Sequence, residues 1–338
     1  MRPTVLPLLV ALLIPQGPST VPKDWGPAFN PLKPSSHPSY VQRVQPAVVG
    51  IKVRVPLDRP SVLTLGPERW GGGVIFDPAG YAVTVSYVLL DAEIIRVTLR
   101  DGRIVPAKLV GLDLESGLGV IKLEGDGPWP AASLGDSSKV AVGEVAATVG
   151  VEDDNDLMVT QGSVQEIRSF AGYWEYMLDR AFIVAPYNPA FGGSPLVNVQ
   201  GEIIGITSLR IGEQPPFVNL AIPIELFTAS KDELIGKGRV TSRRPRPWIG
   251  LYTVPGERGV VVAGMSPVGP ARQAGFQRGD VITRINGERV GSQEEFYRRL
   301  WQAQVGQDVT LVVLRESTFL VLTVRPIDRY QLLRTTGQ

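Results

Sequence analysis

The chain has 338 residues, 43% of them hydrophobic and 20% charged, an ordinary globular composition long enough for two or three domains. Its 34 basic residues balance 33 acidic ones, so nothing electrostatic points to a nucleic-acid partner. It has no cysteine and a single histidine, His37, which excludes disulfides, thiol catalysis and thiolate metal sites and confines imidazole chemistry to one position.

Residues 1–22 open with one Arg and an apolar run of about a dozen residues, too short to span a bilayer, which takes ~20. The run fits the core of a signal peptide and, alternatively, a buried N-terminal segment; we read export. Residues 23–39 form a Pro-rich lead-in carrying Trp25 and Phe29. From residue 40 to 235 short β-rich runs such as "AVVGIKVRV", "YAVTV" and "EIIGITSL" alternate with Gly, Asp and Pro, which predicts a sandwich or barrel. "DGR" after "IIRVTLR" reads as a hairpin turn, and "IPIELFTASKDELI" as one helix at the end of this half. Residues 236–246 are an Arg-rich linker, expected to be a solvated connector. Residues 247–327 mix strands with a short "GPARQAG" helix and a longer "SQEEFYRRLWQAQ" helix. The longer helix opens on a capping box from Ser292 to Glu295, stops at Gly306, and sets Phe296 and Leu300 on one core-facing side. "ING" at 285–287 marks a tight turn, and 328–338 is a C-terminal tail.

Four segments carry a resemblance. "GGGVIFDPAGYAVTVSYV" is similar to the segment of HtrA/Deg proteases that bears the catalytic histidine. "DGRIVPAKLVGLDLESGLGVIKL" resembles the one with the catalytic aspartate, and "YNPAFGGSPLVN" the one with the nucleophilic serine. "SPVGPARQAGFQRGDVITRINGERV" resembles the centre of that family's PDZ domain. The resemblance implies a mainly β fold: a two-barrel trypsin-like domain followed by an α+β PDZ domain, in an exported protein. Within these frames Tyr87 stands at the histidine position, Gly117 at the aspartate position and Gly192 at the serine position.

Each replacement removes a chemical requirement of acyl transfer. A phenol with an ordinary pKa near 10 is a poor general base at neutral pH. Gly117 supplies no carboxylate, and Gly192 no nucleophile. Ala190 replaces a family glycine beside any remaining oxyanion hole. Ser194 lies about 7 Å along an extended chain from the serine position and reads as a turn residue. Lys52, Lys108, Lys122 and Lys139, the candidates for a Ser–Lys dyad, read as surface lysines. "EDDND" at 152–156 lacks the spacing of a calcium loop, so no metal or cofactor is expected.

The PDZ resemblance implies that the backbone N–H groups of Trp248, Ile249, Gly250 and Leu251 receive a peptide's C-terminal carboxylate while the peptide adds as a strand. The expected function is that of a pseudoprotease acting in binding, scaffolding or regulation, with unfolded or C-terminal peptide segments as partners. Two alternatives stand beside it. One is an active endopeptidase of envelope protein quality control; the other is an inactive subunit assembled with an active homologue. Homotrimerisation through Trp25 and Phe29 is a further implication of the resemblance.

Overall fold

The computed structural model describes residues 32–33, 36–152 and 155–333. The signal-like segment, Trp25, Phe29 and part of the 152–156 acidic stretch lie outside the described residues.

A short helix α1 (Ser39–Val44) leads into a closed barrel built from β1 (Val48–Arg54), β2 (Glu68–Asp77), β3 (Tyr81–Val85), β4 (Ile94–Thr98), β5 (Ile104–Asp113) and β6 (Leu118–Leu123). Helices α2 (Val62–Leu65) and α3 (Ser86–Leu89) interrupt it. A second closed barrel follows: β7 (Val145–Val151), β8 (Leu157–Gly172), β9 (Tyr176–Ala185), β10 (Pro195–Asn198), β11 (Ile203–Ile211) and β12 (Val218–Pro223). Closure leaves no free edge. The apolar, β-branched runs of the sequence become strands buried along nearly their whole length, such as β12, because one face fills the barrel and the other is covered. The "DGR" turn forms as expected: the Asp101 side chain accepts from Arg103 N at 3.0 Å, and Gly102 has φ +86°.

The helix expected over 222–235 breaks into α4 (Glu225–Thr228) and α5 (Lys231–Lys237). The hydroxyl of Ser230 bonds back to Leu226 O at 2.8 Å and competes with the backbone there.

The C-terminal domain begins with β13 (Pro247–Trp248), β14 (Leu251–Gly256) and β15 (Gly259–Met265), then α6 (Pro270–Gln273), β16 (Val281–Ile285) and β17 (Glu288–Arg289). Helix α7 (Gln293–Leu300), β18 (Val309–Arg315), β19 (Thr318–Val324) and β20 (Ile327–Asp328) complete it. The sheet runs β14-β15-β16-β18-β19 with β17 on β16, and β13 pairs with β20. "ING" forms the two-residue β16–β17 turn, with Asn286 and Gly287 both at positive φ, which this turn type requires. The N-cap half of the expected capping box forms, with Ser292 Oγ accepting from Glu295 N at 3.1 Å, while the Glu295 carboxylate reaches one residue further back, to Gly291 N at 2.8 Å. Helix α7 ends at Leu300, earlier than the Gly306 stop, and buries Phe296 and Leu300 in the domain core as expected.

The linker is not the solvated connector expected from its composition. Arg243 pairs with buried Asp113 at 2.6 Å, Arg246 with Glu115 at 3.1 Å, and Arg239 with Asp328 at 3.2 Å. Arg246 also lies over the Trp301 ring at 4.0 Å. The run of arginines finds acidic partners on the first barrel and near the chain's end, so its charge works between domains. The start of the tail is docked too: Tyr330 Oη accepts from Leu114 N at 3.0 Å and donates to Leu112 O at 3.1 Å.

Candidate functional site

Tyr87, Gly117 and Gly192, the positions where the resemblance expects catalytic groups, converge where the two barrels meet. Tyr87 sits on α3, whose end is held by buried Arg69: its guanidinium donates to Tyr87 O at 3.1 Å and Leu90 O at 2.7 Å. Burial lowers the Arg69 pKa to about 10. The Tyr87 hydroxyl donates to Ser208 O at 2.8 Å, across the barrel interface. A Cβ built on Gly192 lies 2.9 Å from that hydroxyl oxygen. The phenol therefore occupies the volume a serine side chain needs. Burial pushes its pKa above the ordinary tyrosine value, away from any role as a base at neutral pH.

Gly117 has φ +80°, and a Cβ there meets Tyr176 Oη at 2.8 Å and two ring carbons at 3.2 Å. Tyr176 reaches this point from the second barrel and donates to Ser116 O at 2.7 Å. Its ring fills the space an orienting carboxylate would take. Gly117 O accepts from Ser86 N at 2.7 Å, so backbone still ties the two positions together.

The turn around Gly192 is closed by its own hydrogen bonds. Ala190 N donates to Asn188 Oδ1 at 2.9 Å, Gly193 N to Thr207 O at 2.9 Å and Ser194 N to Phe191 O at 3.0 Å. The N–H of Ala190, two residues before Gly192, is thus turned to Asn188 and away from any oxyanion site at Gly192. Ser194 is fully buried, its hydroxyl donating to Ala190 O. No base is bonded to it. Lys108 pairs with Glu124 and Lys139 with Asp136, Lys122 donates to Ala79 O, and Lys52 is exposed on β1. His37 is buried in the lead-in against Gln45 and Leu32 O. Among the described residues no group of three or more His, Cys, Asp or Glu side chains is placed to hold a metal ion.

A cavity of about 170 Å³ lies beside this site, lined by Tyr87, Gly117, Trp174, Tyr176, Trp248 and Arg329 among others. Trp248 also opens the loop expected to receive carboxylates, so the barrel site and that loop face one space. The loop's donors are engaged within the molecule. Ile249 N donates to Glu175 Oε2 at 3.0 Å, and Leu251 N to Glu175 Oε1 at 2.6 Å. Glu175 belongs to the turn between β8 and β9 and is only 7% exposed. Burial raises its pKa to about 7, against the opposing pull of the loop's N–H donors and of Arg329.

Residues 71–206 match the trypsin-like peptidase domain model, and residues 247–325 the PDZ domain model. Serine endoprotease DegS of Escherichia coli is 32% identical over 312 residues, 86% of this chain and 85% of that protein. The chain belongs to the HtrA-type family. A probable periplasmic serine endoprotease, DegP-like, of Halomonas elongata is 33% identical over 268 residues, and the match spans only 55% of that longer relative. Among solved structures, the HtrA-type protease AlgW with decapeptide is similar at TM-score 0.53 and 26% identity, over 88% of this chain and 98% of that one. The serine endoprotease from Yersinia pestis is similar at TM-score 0.52 and 28% identity, over 86% and 96%.

The structure brings Tyr87, Gly117 and Gly192 together, the three positions singled out in the sequence, and adds residues the sequence did not single out, which fill the space around them. Tyr176, Glu175 and Arg69 belong to no motif. The glycine run 71–73 was a usable signal: Gly72 N donates to Gly192 O at 2.8 Å, and a Cβ on Gly71 would meet that same oxygen at 2.7 Å. Three glycines in a strand mark a close backbone approach.

Proposed function

We propose that this chain is an exported, catalytically inactive HtrA-type protein that binds peptide C-termini through its PDZ domain and acts as a scaffolding or regulatory component of the cell envelope. The observation that carries this reading is the Tyr87 phenol over Gly192: it supplies neither nucleophile nor base and takes up the volume of the first. Tyr176 against Gly117 and the engaged N–H of Ala190 support it from two further directions. Export is supported by the Arg-then-apolar start and by relatives named as periplasmic. Peptide binding is supported by the PDZ match and by an HtrA-type relative solved with a decapeptide.

The test is hydrolysis of casein and labelling by a fluorophosphonate, comparing the native chain with Ser194→Ala. Both should show the same background. Removing the nucleophile and its partners from a working triad lowers turnover by about 10⁶, leaving nothing measurable above contaminating proteases. Activity that copurifies with the native chain and vanishes in Ser194→Ala would overturn the reading.

A further inference from the structure

The turn between β8 and β9 holds three residues, Tyr173, Trp174 and Glu175, between the paired Gly172 and Tyr176. Three-residue hairpin loops favour glycine at the left-handed position. Here that position is Glu175, with φ +56°. A carboxyl-bearing residue is thus both strained and buried at a hairpin tip, where glycine would serve the turn better. Local folding gives no reason for it; the contacts of its side chain do.

β14 pairs with β15 along one edge, and its other edge presents every second N–H outward. Two of these, on Leu251 and Thr253, are the donors an added strand would use. Leu251 N binds the Glu175 carboxyl, and Thr253 N donates to Tyr173 O at 2.8 Å. Helix α7 forms the opposite wall: Tyr297 Oη donates to Gly172 O at 2.6 Å and accepts from Glu175 N at 3.2 Å. Ala171 and Met177 pack into the PDZ core, and the Tyr173 ring meets Tyr252 edge-on at 5.5 Å. One short segment therefore supplies a carboxyl to the loop, a carbonyl to the strand two residues away and apolar contacts to the groove. Those are the elements by which a peptide C-terminus is recognised.

We infer that the PDZ groove is filled by the chain's own β8–β9 hairpin, with Glu175 standing in for a C-terminal carboxylate, and that an external C-terminus binds by displacing it. The next residue, Tyr176, fills the aspartate position beside Gly117, so one hairpin tip closes both the groove and the former catalytic site. Release of the tip opens the two together. The apparent affinity for a peptide is then its intrinsic affinity reduced by the fraction of chains that are open.

Only the displacing ligand rests on the peptide-binding reading, and the experiment separates the two. The full chain is compared with Glu175→Gly, which suits the turn's left-handed position and preserves the hairpin, and with Glu175→Gln as a second, isosteric variant. The first measurement is amide hydrogen exchange across residues 248–254. Exchange should rise at least about tenfold in Glu175→Gly with β7 and β12 unchanged, as expected when a protecting contact is removed. Equal exchange in the native chain and both variants overturns the internal ligand. The second measurement is binding of a fluorescein-labelled decapeptide ending in Gly-Tyr-Trp-Leu, with a free or an amidated C-terminus. The free peptide should bind Glu175→Gly at least about tenfold more tightly than the native chain, and the amide should bind neither. Equal affinity for native and variant overturns displacement. Faster exchange with no peptide bound by any form sustains the internal ligand and overturns the peptide-binding reading instead.

Discussion

Placing a carboxylate at position 117 alone should damage the protein, and the structure sets the size of the damage. Gly117→Asp puts a side chain at φ +80°, 2.8 Å from Tyr176 Oη and 3.2 Å from its ring. The left-handed backbone costs about 1 kcal/mol for a residue with a Cβ. The ring must shift, and overpacking of this kind costs about 1–3 kcal/mol. Its hydrogen bond to Ser116 O, worth about 1 kcal/mol, breaks in the process. The variant should lose about 3–5 kcal/mol, read from the urea midpoint of the barrel domain by near-ultraviolet circular dichroism. Because the loss comes from contact with one ring, Gly117→Asp should be much less harmful in a Tyr176→Ala background, with a coupling of about 2 kcal/mol in the double-mutant cycle. Strictly additive effects, or an unchanged midpoint in the single variant, would refute the claim that Tyr176 fills the aspartate position.

The triple variant Tyr87→His, Gly117→Asp, Gly192→Ser should remain unlabelled by fluorophosphonate, since Tyr176 and the engaged Ala190 N–H persist; labelling would show that the site can still assemble. Asp113→Ala removes the 1%-exposed side chain partner of Arg243 and should loosen the linker, with a loss of about 1.5–3 kcal/mol and faster tryptic cleavage between residues 239 and 246. Unchanged cleavage would show that the linker arginines are held without it. The Glu175 carboxyl has a pKa of about 7 when docked against an ordinary 4.5, so docking takes up a proton between those values. Docking therefore weakens as pH rises from 4.5 to 7 and changes no further above that, which should increase peptide binding over the same interval. Arg329 and the Tyr252 and Tyr297 hydroxyls, which face Glu175, keep one charge state there; Glu115 and Asp328 line the adjoining pocket, so Glu175→Gln is the control and should flatten the profile.

The identities at positions 87, 117 and 192 were legible in the sequence, because motif frames are local: Val88 and Leu118 follow their replaced residues in register, and Pro195 and Leu196 close the third frame. Strand runs, the "ING" turn and the Ser292 cap were legible for the same reason, each being a property of a few adjacent residues. The single helix expected before the linker failed because the bond of Ser230 back to Leu226 O competes with the backbone ladder, a choice composition does not reveal. The linker arginines looked solvated because Asp113, Glu115 and Asp328 lie 130, 131 and 89 positions from Arg243, Arg246 and Arg239, and only folding brings each to its partner. The occupied groove is the clearest case. By itself, the sequence set the local frames: a loop at 248–251 expected to receive a carboxylate, and Tyr87, Gly117 and Gly192 at the positions expected to carry catalytic groups. That a glutamate 74 residues earlier supplies the carboxyl, and a tyrosine beside it closes the catalytic site, was decided by tertiary structure alone, because burial and a shared hydrogen bond depend on distance in space and not on spacing in the chain.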